Sequence, residues 1–358
     1  MSFAVAAAGT GGHVYPGLAV GEALIDLGVD RSDILYIGGN RLEATVYPES
    51  GFPFLGVELR GLARRFTSAN LGIPRVVLRA VRAIRSELAA RRVGALLGMG
   101  GYVTVPAGLA ALREKVPIAV AEQNAEAGLA NRVVSRFASR AFVSFPDTPG
   151  LPGGEWVGNP IRRPLAEFDR HRLRPAALAR FGLDDGVPVV GVFGGSLGAG
   201  AINRAVAAAV ESWSGPPIQV LQLAGQGYEE AREAARVSPV RWVVLDFCQE
   251  MDAFFAACDL VVARAGGSVA ELTATATPAI LVPGGFGSGG HQAANAARLE
   301  AVGAAEVVQE PELDRLGEVV ARLAGDPELR RQMAQAATSI ARPNAAHDIA
   351  RALLELHP

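Results

Sequence analysis

The chain has 358 residues, of which 50% are hydrophobic and 20% are charged, so we expect a folded globular protein rather than a disordered one. Its length suffices for two domains, each with its own core. The formal net charge is −2, no apolar run approaches the roughly 20 residues of a membrane-spanning helix, and no signal sequence precedes the first predicted strand, so we expect a cytoplasmic chain.

Ten apolar strands alternate with helical patterns along the chain. They are predicted at residues 3–7, 34–37, 95–97, 118–121, 141–143, 189–193, 218–223, 242–245, 260–262 and 279–282. Continuous apolar strands separated by helices indicate parallel sheets that are covered on both faces. Because a glycine-rich turn follows the first strand of each half, we predict an α/β fold of two doubly wound, Rossmann-like domains that face a cleft. Two prolines interrupt residues 158–164, so the domains are placed at 1–161 and 162–341.

The first glycine loop, residues 9–16 (GTGGHVYP), lies between the first strand and a helix predicted at 17–27. Glycines there let the backbone approach a phosphate that the helix N-terminus then holds. A nucleotide-redox domain begins in the same way, but it would place an acidic residue at the end of the second strand, where this chain has Gly38 and Gly39. His13 is either a general base or a histidine that caps the helix or binds the loop.

The second glycine loop, residues 194–199 (GGSLGA), has the same strand-to-helix context. Ser196 either adds a hydroxyl to a phosphate site or is an ordinary helix N-cap. Two such loops in one chain favour phosphate binding. Cys248 and Cys258 lack the spacing of a disulfide or a metal site, so we interpret them as small core residues in a reducing compartment.

The stretch 260–295 is predicted as a strand, a tight turn, a helix from Ser268, a second strand, a glycine loop at 284–290 and a helix from His291. Two helix N-termini at one sheet edge suit a diphosphate. The side chains positioned to contact the group that is attached to the diphosphate are Arg264, Glu271, His291 and Gln292. Glu271 either accepts hydrogen bonds from ribose hydroxyls or completes a capping box with Ser268.

Three polar residues, Glu122, Gln123 and Asn124, follow the strand at 118–121. Large polar groups at a strand end need partners when they are buried. Ligand binding and a structural network are both consistent with this position.

Residues 60–92 carry nine arginines and one acid, Glu87, and residues 1–165 hold 18 basic against 13 acidic side chains. A solvated helical face is one interpretation. Apolar residues interleaved with these arginines favour the anionic surface of a cytoplasmic membrane leaflet. Nucleic acid is disfavoured as a partner, because aromatic residues for base stacking are lacking here apart from Phe66.

Together these residues resemble the MurG family of bacterial peptidoglycan glycosyltransferases, which add N-acetylglucosamine to a lipid-linked muramyl-pentapeptide. The resemblance covers nearly the whole chain. It rests on motifs in the family's order, namely the two glycine loops, GGYV at 100–103, EQNA at 122–125, GLAN at 128–131, GNPIR at 158–162, and the stretch with Glu271 and His291-Gln292.

The resemblance implies the GT-B architecture, with UDP-N-acetylglucosamine on the C-terminal domain, the lipid acceptor on the N-terminal domain, and the helix at 342–358 packing back on the latter. The implied donor-binding residues are Thr10, Gly11, Gly12, Asn124, Arg162, Ser196, Phe247, Cys248, Arg264, Glu271, His291 and Gln292. Among them, Glu271 would bind the ribose, Arg162 and Ser196 the diphosphate, backbone at 247–248 the uracil, and Asn124 and Gln292 the sugar. The implied acceptor-binding residues are Gly11, Gly12, His13, Gly100, Gly101 and Tyr102. Residues that would face the inner leaflet, to which the protein would bind peripherally, are Arg64, Arg65, Arg75, Arg79 and Arg82.

The implied chemistry is an inverting displacement, in which the muramyl 4-hydroxyl attacks C1 of the donor sugar as UDP leaves. His13 is the first choice for the catalytic base and Glu122 the second. Backbone N–H groups and an arginine would stabilise the leaving diphosphate, so we expect no cofactor and no obligatory metal.

Two departures from the family concern the donor side. The segment from Arg264 to Glu271 is one residue shorter than in many relatives, and residues 284–290 lack the acidic residue that relatives often place before His-Gln. We therefore expect Arg264 to be rotated away from the nucleotide and the donor-sugar loop to be unusually mobile. Another GT-B glycosyltransferase, a UDP-sugar epimerase and a non-catalytic nucleotide-sugar-binding protein are the alternatives, and the intact acceptor motifs favour transfer.

Overall fold

The computed structural model describes residues 1–59, 73–195, 198–284 and 290–357, with the backbone alone at residues 73 and 74. The chain forms two compact units, one of residues 1–163 with 343–358 and the other of residues 164–342. The sequence prediction placed this division at 161/162, two residues earlier.

The first unit is built on a parallel sheet. Its strands are β1 (Ser2–Ala6), β2 (Ile34–Gly38), β3 (Phe54–Gly56), β4 (Val93–Gly98), β5 (Ile118–Glu122), β6 (Arg140–Val143) and β7 (Glu155–Trp156). Its helices are α1 (Gly11–Asp26), α2 (Glu43–Glu49), α3 (Ile73–Ala90), α4 (Thr104–Glu114), α5 (Leu129–Val134) and, from the end of the chain, α15 (Ala345–Leu356). Among the described residues the strand order is β3-β2-β1-β4-β5-β6-β7, which is doubly wound about β1.

Side chains of β1 alternate between the two faces of this sheet. Phe3 and Val5 belong to a core shared with α1 and α15, whereas Ala4 and Ala6 belong to a core shared with α3 and α4. Both faces are therefore covered, which explains why the strands are apolar at every position rather than at every second one.

The second unit repeats this plan. Its strands are β8 (Val189–Phe193), β9 (Gln219–Leu223), β10 (Arg241–Leu245), β11 (Leu260–Ala263), β12 (Ala279–Leu281) and β13 (Ala305–Val307), in the order β10-β9-β8-β11-β12-β13. Its helices are α7 (Arg170–Phe181), α8 (Gly200–Glu211), α9 (Tyr228–Arg236), α10 (Met251–Ala257), α11 (Ser268–Ala274), α12 (His291–Ala301), α13 (Leu316–Gly325) and α14 (Pro327–Ile340), while α6 (Arg163–Ala166) lies at the division. The prediction of two doubly wound parallel-sheet domains is confirmed.

All ten predicted strands are present, and among the residues that the structure describes the sequence prediction missed β3, β7 and β13. Each of them is two or three residues long and lies at an edge of its sheet. An edge strand is half solvated, so its sequence need not be apolar throughout, and this is why the pattern did not reveal these three.

Helix α15 completes the core of the first unit. Ile349 and Leu353 are fully buried in the cluster that holds Leu24 of α1. Beyond the helix, the ring of His357 lies edge-on to Phe3, with the ring centroids 5.6 Å apart. It also packs on Gly94 of β4, where a Cβ would come within 2.1 Å of the imidazole.

None of the helices that the structure describes combines the length and the apolar character that crossing a bilayer requires.

Candidate functional site

The first glycine loop joins β1 to α1. Gly9 has a φ of +107°, Thr10 takes the N-cap position, and α1 begins at Gly11, six residues before the predicted helix start at 17. The N–H groups of His13 and Val14 both donate to the Thr10 carbonyl. Gly11 and Gly12 thus stand in the first turn, where backbone N–H groups are available to an anion.

His13 is half-buried and packs on the loop that follows β4. Its Nδ1 atom lies 3.2 Å from the Thr10 hydroxyl. A Cβ on Gly100, which has a φ of +88°, would lie 3.1 Å from His13 Nε2. Likewise, a Cβ on Gly101 would lie 2.4 Å from the Ala8 carbonyl oxygen. Glycines at 100 and 101 therefore let the loops after β1 and β4 meet, and the structure brings His13, Gly100 and Gly101 together.

Glu43 also belongs to this site, although the sequence prediction missed it. Its side chain is fully buried. It accepts hydrogen bonds from Gly9 N–H (3.2 Å), Gly39 N–H (3.0 Å) and the Tyr102 hydroxyl (2.9 Å). One carboxylate thus joins the ends of β1 and β2 to the loop after β4, and the hydroxyl of Tyr102 is turned towards it.

Glu122 is buried and its carboxylate accepts from four donors. They are Asn124 N–H (3.1 Å), Asn124 Nδ2 (3.0 Å), Gly128 N–H (2.9 Å) and Asn131 Nδ2 (2.8 Å). This geometry favours the structural interpretation of Glu122 over a catalytic base, and it makes Glu122 the residue that orients Asn124. Within the described part of the chain, the buried oxygens Gln123 Oε1 and Asn131 Oδ1 have no hydrogen-bond partner.

The second glycine loop joins β8 to α8, and its Ser196 lies outside the described residues. Gly195 and Gly198 have φ values of +91° and +76°. A Cβ on Gly198 would lie 2.4 Å from the Ala224 carbonyl oxygen, so Gly198 packs directly on the end of β9. Helix α8 then begins at Gly200, with Ala199 at the N-cap position.

A chain of side-chain hydrogen bonds fixes α8 to the sheet. Trp242 Nε1 donates to Gln222 Oε1 (3.0 Å), Gln222 Nε2 donates to Asn203 Oδ1 (2.9 Å), and Asn203 Nδ2 donates to the Ala224 carbonyl (3.0 Å). The sequence prediction missed this network, because its members are far apart in the chain. A fully buried glutamine within an apolar strand, Gln222, was the signal for it.

The turn between β11 and α11 is held by ion pairing. Arg264 pairs with Glu310 and donates to the Val282 carbonyl at 3.1 Å. The Ser268 hydroxyl donates to the Arg264 carbonyl at 3.3 Å, and Gly267 rather than Ser268 takes the N-cap position. The guanidinium of Arg264 is therefore engaged by the second unit itself.

Glu271 is half-buried in the first turn of α11. Asn295, which is fully buried, donates to the Ala265 carbonyl at 3.0 Å and so ties this turn to α12. The N-terminus of α11 and the residues of α12 thus lie at the same sheet edge.

Helix α12 begins at His291, the predicted position. The amide oxygen of Gln292 accepts from the Gly284 N–H at 2.8 Å, which fixes the end of β12 to this helix. The buried Nδ1 atom of His291 has no hydrogen-bond partner among the residues described. Residues 285–289, in the loop that the sequence analysis assigned to the donor sugar and predicted to be mobile, lie outside the described residues.

The remaining donor candidates occupy separate positions. Phe247, after β10, is half exposed, while Cys248 beside it is buried, and burial raises the pKa of its thiol. The guanidinium of Arg162 lies 5.9 Å from the centroid of the Tyr15 ring within the first unit. Cys258 is buried as well, so the prediction of two core cysteines is confirmed.

Helix α3 carries the basic face. Its buried side, with Ile84 and Leu88, packs into the first unit. Arg75, Arg79 and Arg82 are exposed on the other side, together with Val76 and Leu78. Arg64 and Arg65 lie outside the described residues.

Two family models match the chain. The glycosyltransferase family 28 N-terminal domain matches residues 3–143, and the glycosyltransferase family 28 C-terminal domain matches residues 189–350.

Two relatives are similar over nearly their whole length. The UDP-N-acetylglucosamine–N-acetylmuramyl-(pentapeptide) pyrophosphoryl-undecaprenol N-acetylglucosamine transferase of Halorhodospira halophila is 41% identical over 97% of this chain and 96% of its own. A protein of the same name from a Nocardioides species is 39% identical over 99% of this chain and 98% of its own. Among solved structures, MurG of Acinetobacter baumannii superposes with a TM-score of 0.79 at 26% identity, covering 99% of this chain and 100% of that one.

Proposed function

The chain belongs to glycosyltransferase family 28, and from this premise we propose that it transfers N-acetylglucosamine from UDP-N-acetylglucosamine to undecaprenyl-pyrophosphoryl-N-acetylmuramyl-pentapeptide. The observation that carries the proposal is the repeated site. Each unit has a glycine loop that opens a helix at the carboxyl ends of its strands, at α1 and at α8. Both substrates contain a diphosphate, so one such site per substrate suits the reaction.

The second unit binds the donor. The N-terminus of α8 receives the diphosphate, with Ser196 as a further hydrogen-bond donor, and backbone at 247–248 contacts the uracil. Arg162, which the sequence analysis gave as a second diphosphate contact in the C-terminal domain, belongs to the first unit instead. Glu271 accepts from the ribose hydroxyls. Gln292 uses its amide oxygen to hold Gly284, so the nitrogen end of this amide is the part that meets the donor sugar.

The first unit binds the acceptor. Its diphosphate lies at the N–H groups of Gly11 and Gly12, and backbone at 100–101 borders it.

His13 acts as the general base. Its imidazole takes the proton of the muramyl 4-hydroxyl, and its Nδ1 atom lies 3.2 Å from the Thr10 hydroxyl. That oxygen attacks C1 of the donor sugar with inversion, the C1–O bond to the diphosphate breaks, and UDP leaves. The negative charge gained by UDP is stabilised by helix N–H groups and arginine, so the reaction needs no obligatory metal.

The protein acts at the inner face of the plasma membrane without spanning it. The exposed arginines of α3, together with Val76 and Leu78, suit an anionic leaflet, since arginine gains electrostatic energy there and apolar side chains enter the interface. Nucleic acid is not a partner in this proposal.

One assay tests the assignment. Purified protein is incubated with UDP-N-acetylglucosamine and a lipid-linked muramyl-pentapeptide analogue, and disaccharide product and UDP are quantified. We expect equal amounts of both, dependence on the acceptor, and unchanged rates in EDTA. UDP release without disaccharide, or conversion of UDP-N-acetylglucosamine into its 2-epimer, would contradict the proposal.

A further inference from the structure

The Glu43 carboxylate stays ionised inside the first unit. Burial raises its pKa, but hydrogen bonds from backbone N–H groups and from Tyr102 outweigh that effect, and the pKa lies below its ordinary value. Burial and the bond to Glu43 raise the pKa of Tyr102 to about 12, so the phenol remains a donor at every physiological pH. The three contacts are therefore charge-assisted hydrogen bonds, which are stronger than neutral ones.

The chain makes room for this carboxylate with two adjacent glycines. A Cβ on Gly38 would lie 2.6 Å from Glu43 Cγ, and a Cβ on Gly39 would lie 1.9 Å from the Tyr102 hydroxyl oxygen. Gly38 and Gly39 stand where a nucleotide-redox domain would carry its ribose-binding acid. Here the acid follows a few residues later and points inwards, at the loops of its own unit.

The bond from Gly9 determines which N–H groups the first glycine loop offers. Gly9 N–H is directed at Glu43, whereas Gly11 and Gly12 lie in the first turn of α1. Tyr102, bound to the same carboxylate, follows Gly100 and Gly101, which border His13 and Ala8. A shift of the Glu43 side chain would thus move both the first glycine loop and the loop after β4, which together border the proposed acceptor site.

We propose that Glu43 is a positioning residue of the acceptor site, whose carboxylate holds the Gly9 turn and Tyr102 in the arrangement that binds the acceptor diphosphate. This inference rests on the proposed function, because it takes the first unit as the acceptor site. Glu43 touches neither substrate; it acts through the first glycine loop and Tyr102.

The test compares Glu43→Gln, Tyr102→Phe and the double variant with Glu49→Gln, which removes an exposed carboxylate from the same helix. In Glu43→Gln an amide nitrogen faces N–H and O–H donors, so we expect the acceptor KM to rise about tenfold while the donor KM stays within about twofold. Each single change disrupts the hydrogen bond between Tyr102 and Glu43, so the second change has little left to remove. The acceptor KM of the double variant should therefore be no more than about twofold higher than that of Glu43→Gln. Glu49→Gln should match the wild type.

Binding of geranyl diphosphate, measured by calorimetry, gives a second readout that does not depend on turnover. We expect the Kd to rise about tenfold in Glu43→Gln. If that variant fails to fold, the acceptor KM and the diphosphate Kd of Tyr102→Phe test the proposal instead. This change removes one hydrogen-bond donor and leaves the carboxylate in place.

The two proposals fail in different ways. A wild-type protein that binds geranyl diphosphate but transfers no sugar would overturn the proposed function. Folded variants with normal acceptor KM and normal diphosphate affinity, or strictly additive effects in the double variant, would overturn only the role of Glu43.

Discussion

Arg264 and Glu310 form an ion pair within the second unit, between the turn that opens α11 and the segment that follows β13. The side chains are 15% and 28% exposed, so the pair is partly shielded from water. We therefore expect Arg264→Ala and Glu310→Ala to lower the free energy of unfolding by a similar amount, about 1–3 kcal/mol, between the values for exposed and buried pairs. Urea denaturation of both variants and of the double variant measures this. A large rise in donor KM for Arg264→Ala alone would instead assign the arginine to the nucleotide.

Glu271→Ala should raise the donor KM strongly. A residue that only satisfies a backbone donor at a helix start would cost about 0.5–2 kcal/mol of stability and leave donor binding intact. Steady-state kinetics with varied UDP-N-acetylglucosamine distinguish the two roles. Glu328→Ala, which alters a first-turn glutamate of α14, is the matched control and should leave donor KM unchanged.

His13→Ala should depress kcat by about 10²–10⁴-fold, the usual contribution of a general base, and change donor KM little. His171→Ala, an exposed histidine on α7, serves as control. Near-normal turnover of His13→Ala would remove His13 as the base.

Because the Glu122 carboxylate already accepts hydrogen bonds from four donors, replacement of Glu122 should lower the free energy of unfolding as well as the activity.

Reversal of Arg75, Arg79 and Arg82 to glutamate should weaken binding to anionic vesicles by at least about 10²-fold, because each arginine near such a surface contributes about 1 kcal/mol. Activity on a soluble acceptor analogue should persist. Co-sedimentation with vesicles of increasing phosphatidylglycerol content measures the effect, and reversal of Arg232 and Arg236 on α9 provides the control. Equal binding by both charge-reversed proteins would exclude α3 as the membrane face.

The stability that Glu43 contributes should depend on pH in a defined direction. Its pKa in the folded protein lies below the ordinary value of 4.5, so the ionised form is favoured by folding. The contribution is complete above the ordinary value and is lost as the pH falls through the folded pKa. The difference in unfolding free energy between wild type and Glu43→Gln, about 1–2 kcal/mol at neutral pH, should therefore shrink on acidification. Denaturation at about pH 7 and about pH 3.5 tests this, since other carboxylates titrate equally in both proteins.

The sequence predicted the fold well because every central strand is covered on both faces and is therefore apolar throughout. It predicted the positions of the two glycine loops because clustered glycines mark the turns from strand to helix. The start of α1 was misplaced, since Gly11, Gly12 and Pro16 resemble a loop although they form the first turns of the helix.

Glu43 and the Asn203–Gln222–Trp242 network could not be predicted in the same way. Glu43 meets Gly9 and Tyr102 across 34 and 59 residues of chain. Such contacts depend on how strands are ordered in the sheet, which local periodicity does not encode. The local sign of Glu43 was the pair Gly38 and Gly39, which stands where a nucleotide-redox domain would carry an acidic residue.

The order of synthesis has a consequence for the first unit. Leu353 and Ile349 belong to the same core as Leu24, so a nascent chain lacking α15 exposes the apolar side of α1. The second unit, residues 164–342, is complete earlier. The first unit therefore closes its core only after residues 345–356 have been synthesised, which is later than the completion of the second unit, and a stop codon just before α15 would leave the apolar side of α1 uncovered.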